Sequence, residues 1–199
     1  MKKLVLCTII LLCIIGTVGC KRKEIFITAD VISENTMLAK VDGKLQVITV
    51  EAFDKSYYKL SELSEFVKKE INAYNEKAGS EKVIIDDLRL RNGKAIMLLT
   101  YSGMDQYTNF NEVSAAYFNG GIEDNPLNMP AELISTKDGS IKNCNDVIKN
   151  SKYKVLVVNE PYHIIVDGTI KYYSDNAVLE DEDILQSAAE GMTVIVFKP

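Results

Sequence analysis

Glycine follows aspartate or asparagine at five places, among them Asp42-Gly43, Asn92-Gly93, Asp138-Gly139 and Asp167-Gly168. Such dipeptides tolerate the positive φ of tight hairpin turns, so apolar runs on either side double back as antiparallel neighbours. The flanks fit this reading. Met37–Val41 and Leu45–Val50 surround the first dipeptide, and Lys82–Arg91 and Ala95–Tyr101 surround the second. Tyr162–Val166 and Thr169–Tyr173 surround Asp167-Gly168, giving a third expected hairpin, while Ala131–Thr136 reads as a strand running into Asp138-Gly139. Further strands are expected at Tyr117-Phe118, Tyr153–Val158, Ala177–Leu179 and Thr193–Phe197. Parallel neighbours need long crossovers, which strands paired by tight turns do not provide. The chain reads as α+β: antiparallel β-hairpins forming one or more sheets, with helices on one face.

Residues 61–78 carry the helical signal. Leu63, Phe66, Val67, Ile71, Tyr74 and Ala78 recur at three-to-four spacing and predict a stripe packed on the sheet. Glu65, Lys68, Lys69, Glu76 and Lys77 occupy the other face, with Glu65 and Lys69 at the favourable i,i+4 spacing. Ser61 is the expected N-cap and Gly79 the expected stop. Shorter helices are expected at Met104–Val113 and at Asn143–Asn150, the latter capped by Asn143 or Asn145. Asp183–Ala189 reads as a helical turn or loop. Asn119–Pro130, rich in Gly, Asn and Pro, reads as a long loop.

The first twenty residues decide compartment rather than fold. Lys2 and Lys3 precede an apolar run, Leu4–Ile15, and Gly16-Thr17-Val18-Gly19 leads to Cys20. This is the layout of a secretory signal peptide. A cysteine directly after the small residue resembles a bacterial lipoprotein signal, cleaved before Cys20, which would then carry the lipid (palmitate). Leu4 to Gly19 is 16 residues, short of the about 20 that a spanning helix needs. The competing readings are an ordinary secreted protein and an uncleaved anchor, the latter favoured by the basic triplet Lys21-Arg22-Lys23. Thr17 also stands where leucine is usual in such signals. The expected organisation is a signal peptide over 1–19, a tether over 20–27 and one extracytoplasmic domain over 28–199, with two lobes meeting near 115–130 as the alternative.

With the signal removed, Cys144 is the one thiol of the mature chain, so no disulfide can form within it and packing must hold the fold. Cys144 reads as a small buried hydrophobe rather than a nucleophile. The net charge is −5 for the whole chain and −7 without Lys2 and Lys3. That balance argues against nucleic acid and, the basic triplet apart, against lying flat on anionic lipid.

No catalytic motif emerges. His163, the only histidine, stands in an expected strand and reads as structural, since no Gly-x-Ser-x-Gly elbow accompanies it. One histidine and one mature thiol give no histidine-rich zinc site. Asp86-Asp87, Glu123-Asp124 and Glu180-Asp181-Glu182-Asp183 supply carboxylates that could serve glycoside hydrolysis, but any acidic chain does so. The run at 180 lacks the glycine-punctuated spacing of a calcium loop. Tyr57-Tyr58 and Tyr172-Tyr173 are the densest aromatic pairs, and on a strand each would give one ring per face. Neither glycine-rich phosphate loop occurs. The reading assigns no catalytic, cofactor-binding or metal-ligating residue.

A broader likeness rests on Val18-Gly19-Cys20, Phe53–Tyr58, Ala73-Tyr74-Asn75, Ile170–Tyr173 and Thr193–Phe197. Together these resemble the small uncharacterised lipoproteins of gut-type, clostridial Firmicutes. The resemblance implies a cell-surface lipoprotein of a single-membrane bacterium, and it brings no activity. The expected function is a lipid-anchored, non-catalytic binding or envelope-associated module, joined to the cell membrane through Cys20. The alternatives are an envelope hydrolase using paired carboxylates and an assembly factor for a membrane complex.

Overall fold

The computed structural model describes residues 25–123 and 127–199. The signal-like stretch with Cys20, most of the expected tether and Asp124 lie outside the described residues. Within them the fold is α+β, with 13 strands and three helices. In chain order these are β1 (Thr36–Ala39), β2 (Leu45–Ala52), α1 (Leu60–Ala78), β3 (Val83–Arg91), β4 (Lys94–Tyr101), α2 (Met104–Asn111), β5 (Ala116–Asn119), β6 (Glu132–Ser135), β7 (Ile141–Asn143), α3 (Cys144–Ile148), β8 (Lys154–Val158), β9 (His163–Val166), β10 (Thr169–Tyr173), β11 (Val178–Leu179), β12 (Ile184–Gln186) and β13 (Thr193–Lys198). They form a seven-stranded sheet in the order β11-β12-β9-β1-β2-β4-β3 and a six-stranded sheet in the order β5-β8-β13-β10-β6-β7.

The turns at Asp42-Gly43, Asn92-Gly93 and Asp138-Gly139 close the antiparallel pairs β1·β2, β3·β4 and β6·β7. Asn92 and Gly93 both take positive φ, 51° and 70°, as the hairpin turn requires. The hairpin expected at Asp167-Gly168 does not form. β9 pairs with β12 and, in parallel, with β1, whereas β10 pairs with β13 and β6. Asp167-Gly168 is a corner where the chain leaves one sheet for the other. Packing explains its glycine: a Cβ on Gly168 would lie 2.4 Å from the carbonyl oxygen of Lys198 and 2.9 Å from the Phe197 ring. β1·β9 is the exception to antiparallel order, and its partners come from opposite halves of the chain, where no tight turn constrains direction. Asp183–Ala189, expected to be a helical turn or loop, supplies strand β12, which hydrogen-bonds to β9 on one side and β11 on the other.

Period-two alternation divides the apolar residues among three clusters. Met37, Leu45, Val47, Leu99, Tyr101, Ile164 and Val166 of the larger sheet face Leu156, Val158, Ile170, Ile195 and Phe197 of the smaller one. Their neighbours point outward. Val155, Val157, Val194 and Val196 meet α3 and Met129 on the far side of the smaller sheet. Leu38, Ile48, Ile96 and Leu98, on the far side of the larger sheet, are covered by Ile27 and Ala29.

Helix α1 turns Val67 and Ile71 inward, with Leu63 and Tyr74 packed alongside. At about 100° per residue, Leu63, Ile71 and Tyr74 lie within about 40° of Val67, whereas Phe66 lies about 100° away. The expectation that Phe66 is buried therefore fails: it is 61% exposed. Lys59, in extended conformation, is the N-cap rather than Ser61, and its Nζ lies 2.7 Å from Glu62 Oε1. At the other end Gly79 takes φ +69°, its N–H donates to Glu76 O, and Ser80 N–H donates to Asn75 O. This double closure satisfies the last carbonyls of the helix. The Asn75 side chain then accepts from the N–H groups of Lys82 and Val83 and donates to Val83 O, fixing the start of β3. Asn143 caps α3, its side chain accepting from Asp146 N–H.

Candidate functional site: an apolar groove beside the long helix

Phe66, displaced from the buried stripe, stands at the edge of an open apolar groove. α1 covers only part of the larger sheet's inner face. Beside it a groove of about 510 Å³ opens between Phe66, Val67, Glu70, Ala73, Tyr74 and Lys77 on the helix and Met97 and Leu99 on β4. Asn109, Phe110 and Glu112 at the end of α2 close it. The period of β4 points Met97 and Leu99 to this face, and the period of α1 places Ala73 and Tyr74 above them. Tyr74 and Phe110 meet edge to face at 5.4 Å, and the Tyr74 hydroxyl donates to Gln106 Oε1 at 3.0 Å, fixing α2 against α1. Glu112 holds the left-handed conformation, φ 55°, that ends α2 at the groove's edge.

Met97 also borders a second hollow of about 260 Å³, lined by Thr49, Ala52, Phe53, Tyr58, Leu63 and Ala95 among others. The Tyr57-Tyr58 pair lies in the connection between β2 and α1 rather than on a strand, so both rings reach one cluster. Tyr58 packs on Phe53 at 4.9 Å and on Tyr57 at 4.9 Å. Tyr172-Tyr173 does alternate: Tyr172 packs with Tyr153 on the outer face of the smaller sheet, while Tyr173 packs toward the central core. The groove thus has an aliphatic floor, aromatic walls, and a rim carrying Glu70, Glu112 and Lys77, the composition of a site that holds apolar groups.

The other sequence candidates lie elsewhere. His163 opens β9, with Nδ1 3.4 Å from Glu180 Oε2 and 3.8 Å from Glu34 Oε1, in a shallow polar cleft that also includes Asn35, Lys94 and Gln186. The histidine thus stands between two acids from distant parts of the chain. Asp87 and Asp30 both pair with Arg89, and Asp86 accepts from the Thr100 hydroxyl at 2.6 Å. Asp181 accepts from the N–H of Glu182 in the turn before β12. Cys144 is buried at the start of α3, and burial pushes its thiol pKa up, so the thiolate is disfavoured. Among the described residues no group of three or more His, Cys, Asp and Glu side chains is arranged to hold a metal ion.

One acid invisible in the sequence is Glu160. Its Oε2 is buried without a hydrogen-bond partner, and burial raises its carboxyl pKa against the opposing pull of the Asn159 and Glu160 backbone N–H groups. Nearby, the Tyr107 and Tyr162 hydroxyls hydrogen-bond at 3.1 Å, and burial raises the pKa of both and of Tyr101. Comparison with protein-family models, with curated proteins and with solved structures finds no match to this chain. The groove was legible in part, since a helical wheel separates Phe66 from Val67. Its far wall was not, because α2 reaches it only through tertiary packing.

Proposed function

We propose that this chain is a lipid-anchored extracytoplasmic binding protein, held to the cell membrane through Cys20, and that its ligand places an apolar group in the groove between α1, β4 and α2. The groove carries this reading: an open apolar hollow of about 510 Å³, with Phe66 61% exposed at its edge. An exposed aromatic beside a preformed hollow is surface that a ligand would remove from water. The arrangement of Lys2, Lys3, the apolar run and Gly19-Cys20 supports the anchor. Among the described residues no helix is long and apolar enough to cross a membrane. Two measurements test the reading. Anilinonaphthalene sulfonate should brighten on the full chain and lose most of that signal in Ala73→Phe, which fills the groove from an exposed helix position. Equal signals at equal melting temperature would refute the groove. Cys20→Ala should abolish metabolic fatty-acid labelling and release the protein from the membrane; retained labelling would refute the anchor.

A further inference from the structure

The segment before β1 lies across the outer face of the seven-stranded sheet. Ile27, Ala29 and Ile32 pack toward Leu38, Ile48, Ile96 and Leu98. Ile27 N–H donates to Gln46 Oε1 at one end, and Arg91 donates to the carbonyls of Asp30 and Ile32 at the other. This pinning leaves two apolar side chains pointing away from the protein, Phe26 at 65% exposure and Val31 at 81%. Ile25 is also exposed, and Ile84 adds apolar surface to the same face, opposite Thr100 in the register of β3 and β4. The segment's one acid among residues 25–32, Asp30, is paired with Arg89.

We propose that this face docks on the lipid bilayer, with Phe26 and Val31 seated among the headgroups. The inference rests on the reading of Cys20 as the lipidated residue. Cys20 stands five residues before Ile25. At no more than about 3.3–3.6 Å per residue, the intervening chain can hold Ile25 at most about 18 Å from the anchored cysteine. A lipid on Cys20 therefore keeps this face close to the membrane. The linking residues include Lys21, Arg22 and Lys23, a basic cluster suited to anionic headgroups. The chain from Cys20 onward has a net charge of −7, so the same headgroups repel the acidic remainder of the surface and turn the basic, apolar end downward. An aromatic and a branched aliphatic side chain at the rim match interfacial insertion, about 5–10 Å deep, rather than spanning.

The chain contains no tryptophan, so each introduced indole is the only one. Phe26→Trp, Val31→Trp and, as a control on the edge strand β7, Ile141→Trp would be made in the full-length protein. Each would be reconstituted into vesicles of phosphatidylcholine and phosphatidylglycerol with or without brominated acyl chains. Tryptophan at 26 and 31 should emit at shorter wavelength than at 141, and bromine should remove the greater part of its intensity while leaving position 141 nearly unchanged. Quenching at 26 and 31 no stronger than at 141, in protein that floats with vesicles and carries the fatty acid, would overturn the docking face and leave the anchor standing. Quenching at 26 and 31 without a fatty acid on Cys20 would support the face and overturn the anchor. Protein that neither floats nor is quenched would overturn both.

Discussion

Replacing Ile71 with alanine, and separately Phe66 with alanine, tests how α1 is rotated against the sheet. Ile71 is 5% exposed, so nearly all of its side chain leaves water on folding. Truncating an isoleucine at such a site costs the transfer free energy of the lost carbons plus a cavity term, about 3 kcal/mol within a range of about 2–5. Phe66 has the larger side chain but keeps 61% of its surface in water. Scaling the about 3–5 kcal/mol of a fully buried phenylalanine by its buried share leaves about 1–2 kcal/mol, and alanine's better helix propensity returns about 0.5. The net loss for Phe66→Ala is then about 1 kcal/mol, roughly a third of that for Ile71→Ala. Urea denaturation followed by far-UV circular dichroism would read the two as shifts in midpoint at constant slope. A Phe66→Ala loss equal to or larger than that of Ile71→Ala would show that the helix turns its 66 face inward, and the groove would close with it.

Gly168→Ala should destabilise by at least about 1–3 kcal/mol, the usual cost of overpacking, because its methyl would press on the backbone of Lys198 and the ring of Phe197; a melting temperature equal to wild type would refute the corner packing. Glu160 tests the pH dependence. Burial raises its folded-state pKa, so folding favours its protonated form and its ionisation penalises the fold as pH rises through the carboxylate range and just above. Glu160→Gln should therefore melt higher than wild type near neutral pH, with the difference vanishing in acid, and a gap that stayed constant from acid to neutral pH would refute the assignment.

Local signals carried the sequence reading furthest. The turns at 42–43 and 92–93 were legible because each acts on its own flanking strands, and the stop at Gly79 was legible for the same reason, whereas the return strand after 138–139, three residues long, carried no pattern of its own. Asp167-Gly168 misled because a dipeptide suited to a hairpin serves equally where a chain changes sheets; the choice is made by Phe197 and Lys198, far along the sequence. β12 was missed because Ile184-Leu185-Gln186 is short and stabilised by its partners on both sides rather than by its own pattern. Phe66 fell within three-to-four spacing, which draws a stripe wider than the one the sheet covers. His163 was correctly placed in a strand, but its acidic neighbours Glu34 and Glu180 arrive through pairing that no local signal records.

The parallel pairing of Thr36–Ala39 with His163–Val166 also sets a schedule for assembly. Strands β1 to β4 are near neighbours in sequence and pair in the order β1-β2-β4-β3, so they can assemble before the rest of the chain is present. The sheet cannot extend past β1 until β9 has followed, and the six-stranded sheet that buries its inner face takes all of its own strands from residue 116 onward. Pairings this remote in sequence raise contact order and slow folding. During folding the early half therefore stands with Met37, Leu45, Val47 and Leu99 uncovered until β8, β10 and β13 arrive. Phe197, on β13, is fully buried in that core, so closure of the core waits on the strand most distant in sequence from β1.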